Sequence, residues 1–177
     1  MRVTLLATAL SLLSFAAHAE GGIDFATMPK GCSWQTKLSD GTVQTQTYVG
    51  KVKGKHRVET VNAKTGAAIN RIDYSADGLM VRRRWSDGRW ERFEPFSCFT
   101  VTGKCSYTYS NGAGTRTVID SEVTAKAGKF ISAAKPRGGE AYPVEQFTIG
   151  PFELMTSSRS ANFATRIVKF QGCGPAA

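Results

Sequence analysis

Residues 70–94 read NRIDYSADGLMVRRRWSDGRWERFE. Two Asp-Gly pairs, Asp77-Gly78 and Asp87-Gly88, cut this run into three segments, 70–76, 79–86 and 89–94. Asp-Gly between alternating side chains is a strong short-range hairpin signal. The stretch therefore predicts three antiparallel strands. If each Asp-Gly is a two-residue turn, facing positions sum to 155 in the first hairpin and 175 in the second.

On one face this bookkeeping sets Asp73 against Arg82, which faces Phe93, and Arg71 against Arg84, which faces Glu91. Charges of both signs on one face read as solvated surface, where an ion pair contributes about 0–1 kcal/mol. The other face carries Ile72, Tyr74, Leu79 and Val81, then runs into Arg83 and Trp85 facing Arg92 and Trp90, with Glu94 on the same side. Opposed arginines on an apolar face repel, and burying one unpaired is costly. Three arrangements would relieve them. The sheet ends near residue 83 and leaves the hairpin tip in water; a β-bulge near Pro95 turns the pair outward; or Arg83 and Arg92 line a concave site walled by Trp85 and Trp90. The third would suit an acidic head group held by guanidinium forks, with indole rings over its apolar part.

Working outward, Gly41, Gly54, Gly66, Gly78, Gly88, Gly103 and Gly112 follow one another at intervals of 13, 12, 12, 10, 15 and 9. Segments rich in Thr, Val, Tyr, Ile, Phe and Trp lie between them. Short strands at this spacing indicate an all-β antiparallel meander, either barrel or sandwich. Only the turn recurs, not its flanks, so the period reflects meander geometry rather than a sequence repeat. No segment after the first twenty residues sustains a helical period, so little helix is expected. Residues 135–143 (KPRGGEAYP) read as a loop, and VEQFTIG, FELMTSS and NFATRIVKF as three closing strands. A two-residue turn at Asp40-Gly41 makes facing positions sum to 81, placing Trp34 opposite Thr47 and Cys32 opposite Val49 on a buried face.

The chain opens MRVTLLATALSLLSFAAHAE: one arginine, an apolar run and Ala17-His18-Ala19. This is the pattern of a secretory signal cleaved after Ala19, the run being shorter than the roughly 20 residues that span a bilayer. Residues 20–177 then form a single domain in the periplasm or outside the cell, with no transmembrane segment. Without Arg2 that part has 22 Lys+Arg against 14 Asp+Glu, a balance that favours anionic partners. Its four cysteines read as disulfides of an oxidising compartment. Cys98 and Cys105 suit facing positions across a tight hairpin, leaving Cys32 and Cys173 to tie the first strand to the last.

Catalytic patterns are missing. His56 is the sole histidine after residue 19, and no Gly-x-Ser-x-Gly, His-Glu-x-x-His, Walker or Rossmann pattern occurs. No cysteine spacing suits zinc and no acidic loop suits calcium, so neither metal nor cofactor is expected. Interleaved basic and aromatic residues can hold single-stranded nucleic acid, but Asp73, Asp87, Glu91 and Glu94 dilute the patch. A small exported meander is similar in architecture to lipocalin-like carriers, although Gly31-Cys32-Ser33-Trp34 does not reproduce that family's early Gly-x-Trp.

The sequence therefore points to about ten antiparallel strands in an up-and-down barrel or strongly curved open sheet. The expected function is non-catalytic binding of an anionic or amphiphilic envelope component (lipid, fatty acid or acidic glycan), with Arg83, Trp85, Trp90 and Arg92 as contacts. The alternative is a structural module that binds an envelope protein and has no cavity.

Overall fold

The computed structural model describes residues 22–99 and 101–174. The expected signal segment lies outside these residues. Twelve strands follow one another around a closed barrel: β1 (Ser33–Leu38), β2 (Val43–Val52), β3 (Lys55–Asn62), β4 (Ala68–Tyr74), β5 (Met80–Trp85), β6 (Trp90–Glu94), β7 (Gly103–Asn111), β8 (Arg116–Lys126), β9 (Lys129–Pro136), β10 (Glu145–Ile149), β11 (Met155–Arg159) and β12 (Ala164–Gln171). Each pairs antiparallel with its neighbours in sequence, and β1 closes on β12. The meander is as expected, with twelve strands rather than about ten. Eight-stranded lipocalins share only its up-and-down plan. Among the described residues helix is confined to two 3-10 turns, Phe96–Phe99 and Pro151–Glu153.

Hairpin geometry departs from expectation in one consistent way. At Ser39-Asp40-Gly41 the Leu38 amide donates to the Thr42 carbonyl at 2.8 Å, so three residues form the loop and Gly41 takes φ 85°. The same three residues, Ser86-Asp87-Gly88, repeat this: the Trp85 amide donates to the Arg89 carbonyl at 2.8 Å, and Gly88 has φ 89°. A type I turn followed by a left-handed residue needs glycine third, and it holds one residue more than a two-residue turn. In each loop the aspartate carboxylate accepts from the amide two residues on, at 2.8 Å for Asp40 and 3.0 Å for Asp87. Those amides hold both carboxyls below the usual range.

The register consequently slips by one. Trp34 lies opposite Gln46 rather than Thr47, and the Cys32 carbonyl accepts from Tyr48 rather than facing Val49. Arg83 lies opposite Glu91, not Arg92. The β4–β5 hairpin also has a three-residue loop, with Ser75 donating to Leu79. A bulge between Asp73 and Tyr74 then restores the expected pairs from Asn70–Trp85 to Asp73–Arg82. No such shift occurs where β6 meets β7, from Glu91–Asn111 to Glu94–Thr108.

Because strands alternate direction, the connections sort to two ends. The described residues before β1, both 3-10 turns and the described residues after β12 share one end. There Phe25 and Met28 enter the barrel and pack with Tyr48, Tyr74, Met80, Leu154 and Cys173. Close backbone approach fixes this plug: the Ile23 amide donates to the Gly78 carbonyl, and a Cβ on Gly78 would meet the Ile23 oxygen at 2.0 Å. On the other side of the same end, Cys98, Tyr107 and Ile119 form a second cluster with Phe93 and Phe99. The opposite end carries loops 39–42, 63–67, 86–89, 112–115, 137–144 and 160–163. Inward positions near it are polar, including Gln44, Asn62 and Asn70 on β2 to β4. The result is a cup with a packed floor and a polar mouth. Charged residues such as Arg57, Arg71, Asp120 and Glu122 face outward, so the wall is not the apolar band of a lipid-spanning barrel. No helix of the described residues is long and apolar enough to cross a membrane.

Both expected disulfides form, as suits a non-cytoplasmic compartment. Cys32–Cys173 joins the chain entering β1 to the chain leaving β12. Cys98–Cys105 does not span a hairpin; Cys98 sits in the 3-10 turn and is pinned to β7. The first closes a loop of 141 residues and the second one of 7. Loop entropy then predicts that Cys32→Ser with Cys173→Ser lowers stability by about 5 kcal/mol, against about 2 kcal/mol for Cys98→Ser with Cys105→Ser. Guanidinium unfolding of the two double variants measures the difference.

Candidate functional site

The slipped register divides the four predicted contacts between two sides of the wall. Alternation along β5 and β6 places Arg83, Trp85 and Glu91 inside, in line with Ile72 and Asn70. Trp90 and Arg92 point outward with Arg82 and Arg84. Trp85 and Trp90 are therefore not an opposed pair, and Arg83 and Arg92 do not share a site.

Inside, Arg83 Nη1 donates to Glu91 Oε1 at 2.8 Å. The Arg83 guanidinium lies 5.5 Å from the Trp85 ring centre, and Arg89 approaches the same ring at 5.8 Å. The like-charge repulsion expected on this face is absent because a carboxylate stands where the second arginine was placed. Below the pair, Tyr74 is buried and its hydroxyl is pushed up to about 12 by desolvation, opposed in part by the Arg83 charge. Outside, Arg82 stacks over Trp90 at 5.6 Å, and Arg92 pairs with Glu94 at 3.1 Å. Asp73 faces Arg82 as expected but bonds Arg57, at 2.7 Å.

Two cavities meet at Trp85 and Gly88. The first, of 440 Å³, lies between β5, β6 and β7 and is lined by Trp85, Arg89, Trp90, Glu91, Tyr109 and Asn111. The second, of 370 Å³, runs across the ends of β3 to β5, past Thr60, Asn70 and Trp85 on the inner side and Glu59, Arg71 and Arg84 on the outer. Beside them, buried Asn70 Oδ1 and Arg83 Nε have no hydrogen-bond partner, a feature that native interiors rarely retain. Thus Arg83 and Trp85 are brought together at the mouth, Trp90 contributes to its rim, and Arg92 is excluded.

Sequence reasoning missed Arg89, Tyr109 and Asn111. Asn111 had a readable signal: it precedes Gly112, and its Oδ1 accepts from the Ala113 and Thr115 amides to build the next loop. Its Nδ2 donates to the Tyr109 hydroxyl at 3.2 Å, which fixes that ring against the cavity. Arg89 and Tyr109 carried no such signal, because their meeting depends on the β6–β7 pairing.

The one histidine among the described residues is a packing residue of the floor. His56 is 6% exposed, stacks on Phe25 at 4.6 Å and meets the Tyr48 hydroxyl at 2.6 Å through Nδ1. A neutral imidazole accepting from that hydroxyl fits this geometry. Desolvation, with the nearby Lys51 charge, lowers its pKa below 6.5. The sign follows: below pH 6.5 the unfolded chain takes a proton that the native floor resists, so stability falls with pH down to the native value. Urea unfolding between pH 7.5 and 5 is expected to show this fall, and His56→Phe is expected to flatten it.

All four cysteines are in disulfides, and among the described residues no group of three or more His, Cys, Asp or Glu is placed to hold a metal ion. No protein-family model matches this chain, nor does any curated protein or solved structure.

Proposed function

We propose that this is an exported, periplasmic or secreted, non-catalytic binding protein that takes an amphiphilic anion of the cell envelope at the mouth of its barrel. The observation that carries the reading is the cup itself: a floor packed with aromatic rings, and above it a 440 Å³ cavity lined by Trp85, Arg89, Glu91 and Tyr109. That volume is in the range of small-molecule sites, which combine apolar walls with a few fixed polar groups. Glu91 neutralises Arg83, so the acidic head belongs against Arg89, which is 76% exposed at the side chain, while the apolar part lies along Trp85 and Tyr109. Asp87 pairs with Arg89 at 2.7 Å, an exposed contact that an incoming carboxylate can replace at little cost.

A second reading, an interaction module for an envelope protein, is favoured by apolar residues around the same mouth. Tyr142, Val144 and Phe163 are about half exposed on loops 137–144 and 160–163.

Dodecanoate and its uncharged analogue dodecanol separate these readings when titrated into the protein with tryptophan emission as the signal. Saturable binding of dodecanoate, weakened about tenfold by Arg89→Ala or Trp85→Ala and unchanged by Arg92→Ala, is the expected result. If neither compound binds, and native mass spectrometry of the exported protein shows a bare mass, the interaction module takes its place.

A further inference from the structure

The outward face of β3 to β6 concentrates charge of one sign. Lys55, Arg57, Arg71, Arg82, Arg84 and Arg92 point outward there against Glu59, Asp73 and Glu94. Two of the three carboxylates are committed, Asp73 to Arg57 and Glu94 to Arg92. Among the described residues no carboxylate lies within ion-pair distance of Arg71, Arg82 or Arg84. Arg71 and Arg84 are direct cross-strand partners. Like charges directly opposed on a sheet are destabilising, and Glu59, opposite Arg71 on β3 without an ion pair to it, offsets only part of the repulsion. Arg82 is held over Trp90 instead, and the β5–β6 register carried one step further brings it beside Arg92, whose buried Nε has no partner.

From this arrangement we propose that the outer wall of β4 to β6 is a docking surface for an acidic polysaccharide. Guanidinium groups bind carboxylates in a bidentate fork. Neighbouring strands lie about 4.8 Å apart, so Arg71 with Arg84, and Arg82 with Arg92 in the adjacent row, form two pairs of cations on the wall, where repeated carboxylates along one chain can each meet a cation. Charge repulsion among them falls as the chain binds and its counterions are released. A lipid surface attracts such cations too, but firm attachment to it takes a second, apolar anchor beside them. The exposed apolar residues Tyr142, Val144, Met155, Phe163 and Val168 all lie on the mouth loops or on β11 and β12. This surface adjoins the mouth, since Arg71 and Arg84 also line the 370 Å³ cavity, but its argument does not rest on a ligand in the 440 Å³ cavity.

The probe is polygalacturonate, with galacturonate monomer and phosphatidylglycerol vesicles as comparators, against the protein at low salt. Arg71→Gln with Arg84→Gln removes the opposed pair, and Lys129→Gln with Lys135→Gln on β9 removes the same charge from another part of the wall. Binding to the polymer that weakens with salt, drops at least about tenfold in the arginine variant and stays within about twofold in the lysine variant supports the proposal. The monomer should bind far more weakly than the polymer. Melting temperature serves as the control for folding, and the arginine variant should be no less stable than the parent, since repulsion is relieved. No binding to polygalacturonate, an equal loss in both variants, or vesicle binding that disappears with the same two arginines would overturn it.

Discussion

A glycine held at positive φ as the third residue of the hairpin loops 39–41, 76–78, 86–88 and 112–114 governs what the neighbouring side chains can do. Only glycine takes that conformation without strain, and its position fixes the loop at three residues. Side chains alternate strictly along a strand, so one residue of loop length exchanges the partners across the whole hairpin. At Ser86-Asp87-Gly88 the exchange places Glu91 opposite Arg83, where a two-residue turn would have placed Arg92. The same exchange moves Trp90 to the outer wall. An electrostatic conflict thus becomes an ion pair, without any change in composition.

This marks the boundary of what the amino-acid order discloses. The meander, its strand bounds near residues 68–94, the three closing strands and both disulfides follow from local signals that are strong: Gly turns, β-branched and aromatic runs, and an even cysteine count in an oxidising setting. Register is a finer quantity. Asp-Gly suits a two-residue type I′ turn as well as the longer loop, and the two differ only in backbone dihedrals that composition does not encode. The β4–β5 hairpin makes the same point from the other direction. Its loop is also longer than expected, yet Arg71 meets Arg84 as read from sequence, because the bulge at Tyr74 removes the added residue. Cys98 illustrates a third limit: its spacing to Cys105 admits a hairpin or a short helical turn, and the packing of Phe96 and Phe99 into the floor selects the turn.

The closed floor explains why a barrel of this girth is not merely hollow. Twelve strands enclose more space than their own side chains fill, and two separate aromatic groups occupy it at one end. Phe25 is stacked on His56 and tilted against Tyr48 and Tyr74, while Phe99 lies against Phe93 and Tyr107. Each group is brought in by a connection that a disulfide anchors, Cys32–Cys173 for the first and Cys98–Cys105 for the second. The covalent links therefore hold the plugs as well as the wall. Closure also removes the exposed sheet edges that an open meander would offer for pairing with another chain.

Charge divides along the same wall that the register defines. Inward, the charged groups Arg83, Glu91 and Glu145 are matched to partners, Arg83 with Glu91 and Glu145 with the Ser158 hydroxyl. Outward, the arginines of β4 and β5 form no ion pair among the described residues, although Glu59 stands across from Arg71 and Asp73 across from Arg82. The net positive charge of the chain is thus carried by its surface and not by its lumen. Attraction for anions in solution acts at the convex wall and the rim, where Arg89 sits, while selection inside depends on shape, aromatic contact and the few polar groups fixed beneath. A ligand that enters the mouth is tested first by a field and then by a fit, and the two tests reside on opposite faces of the same three strands.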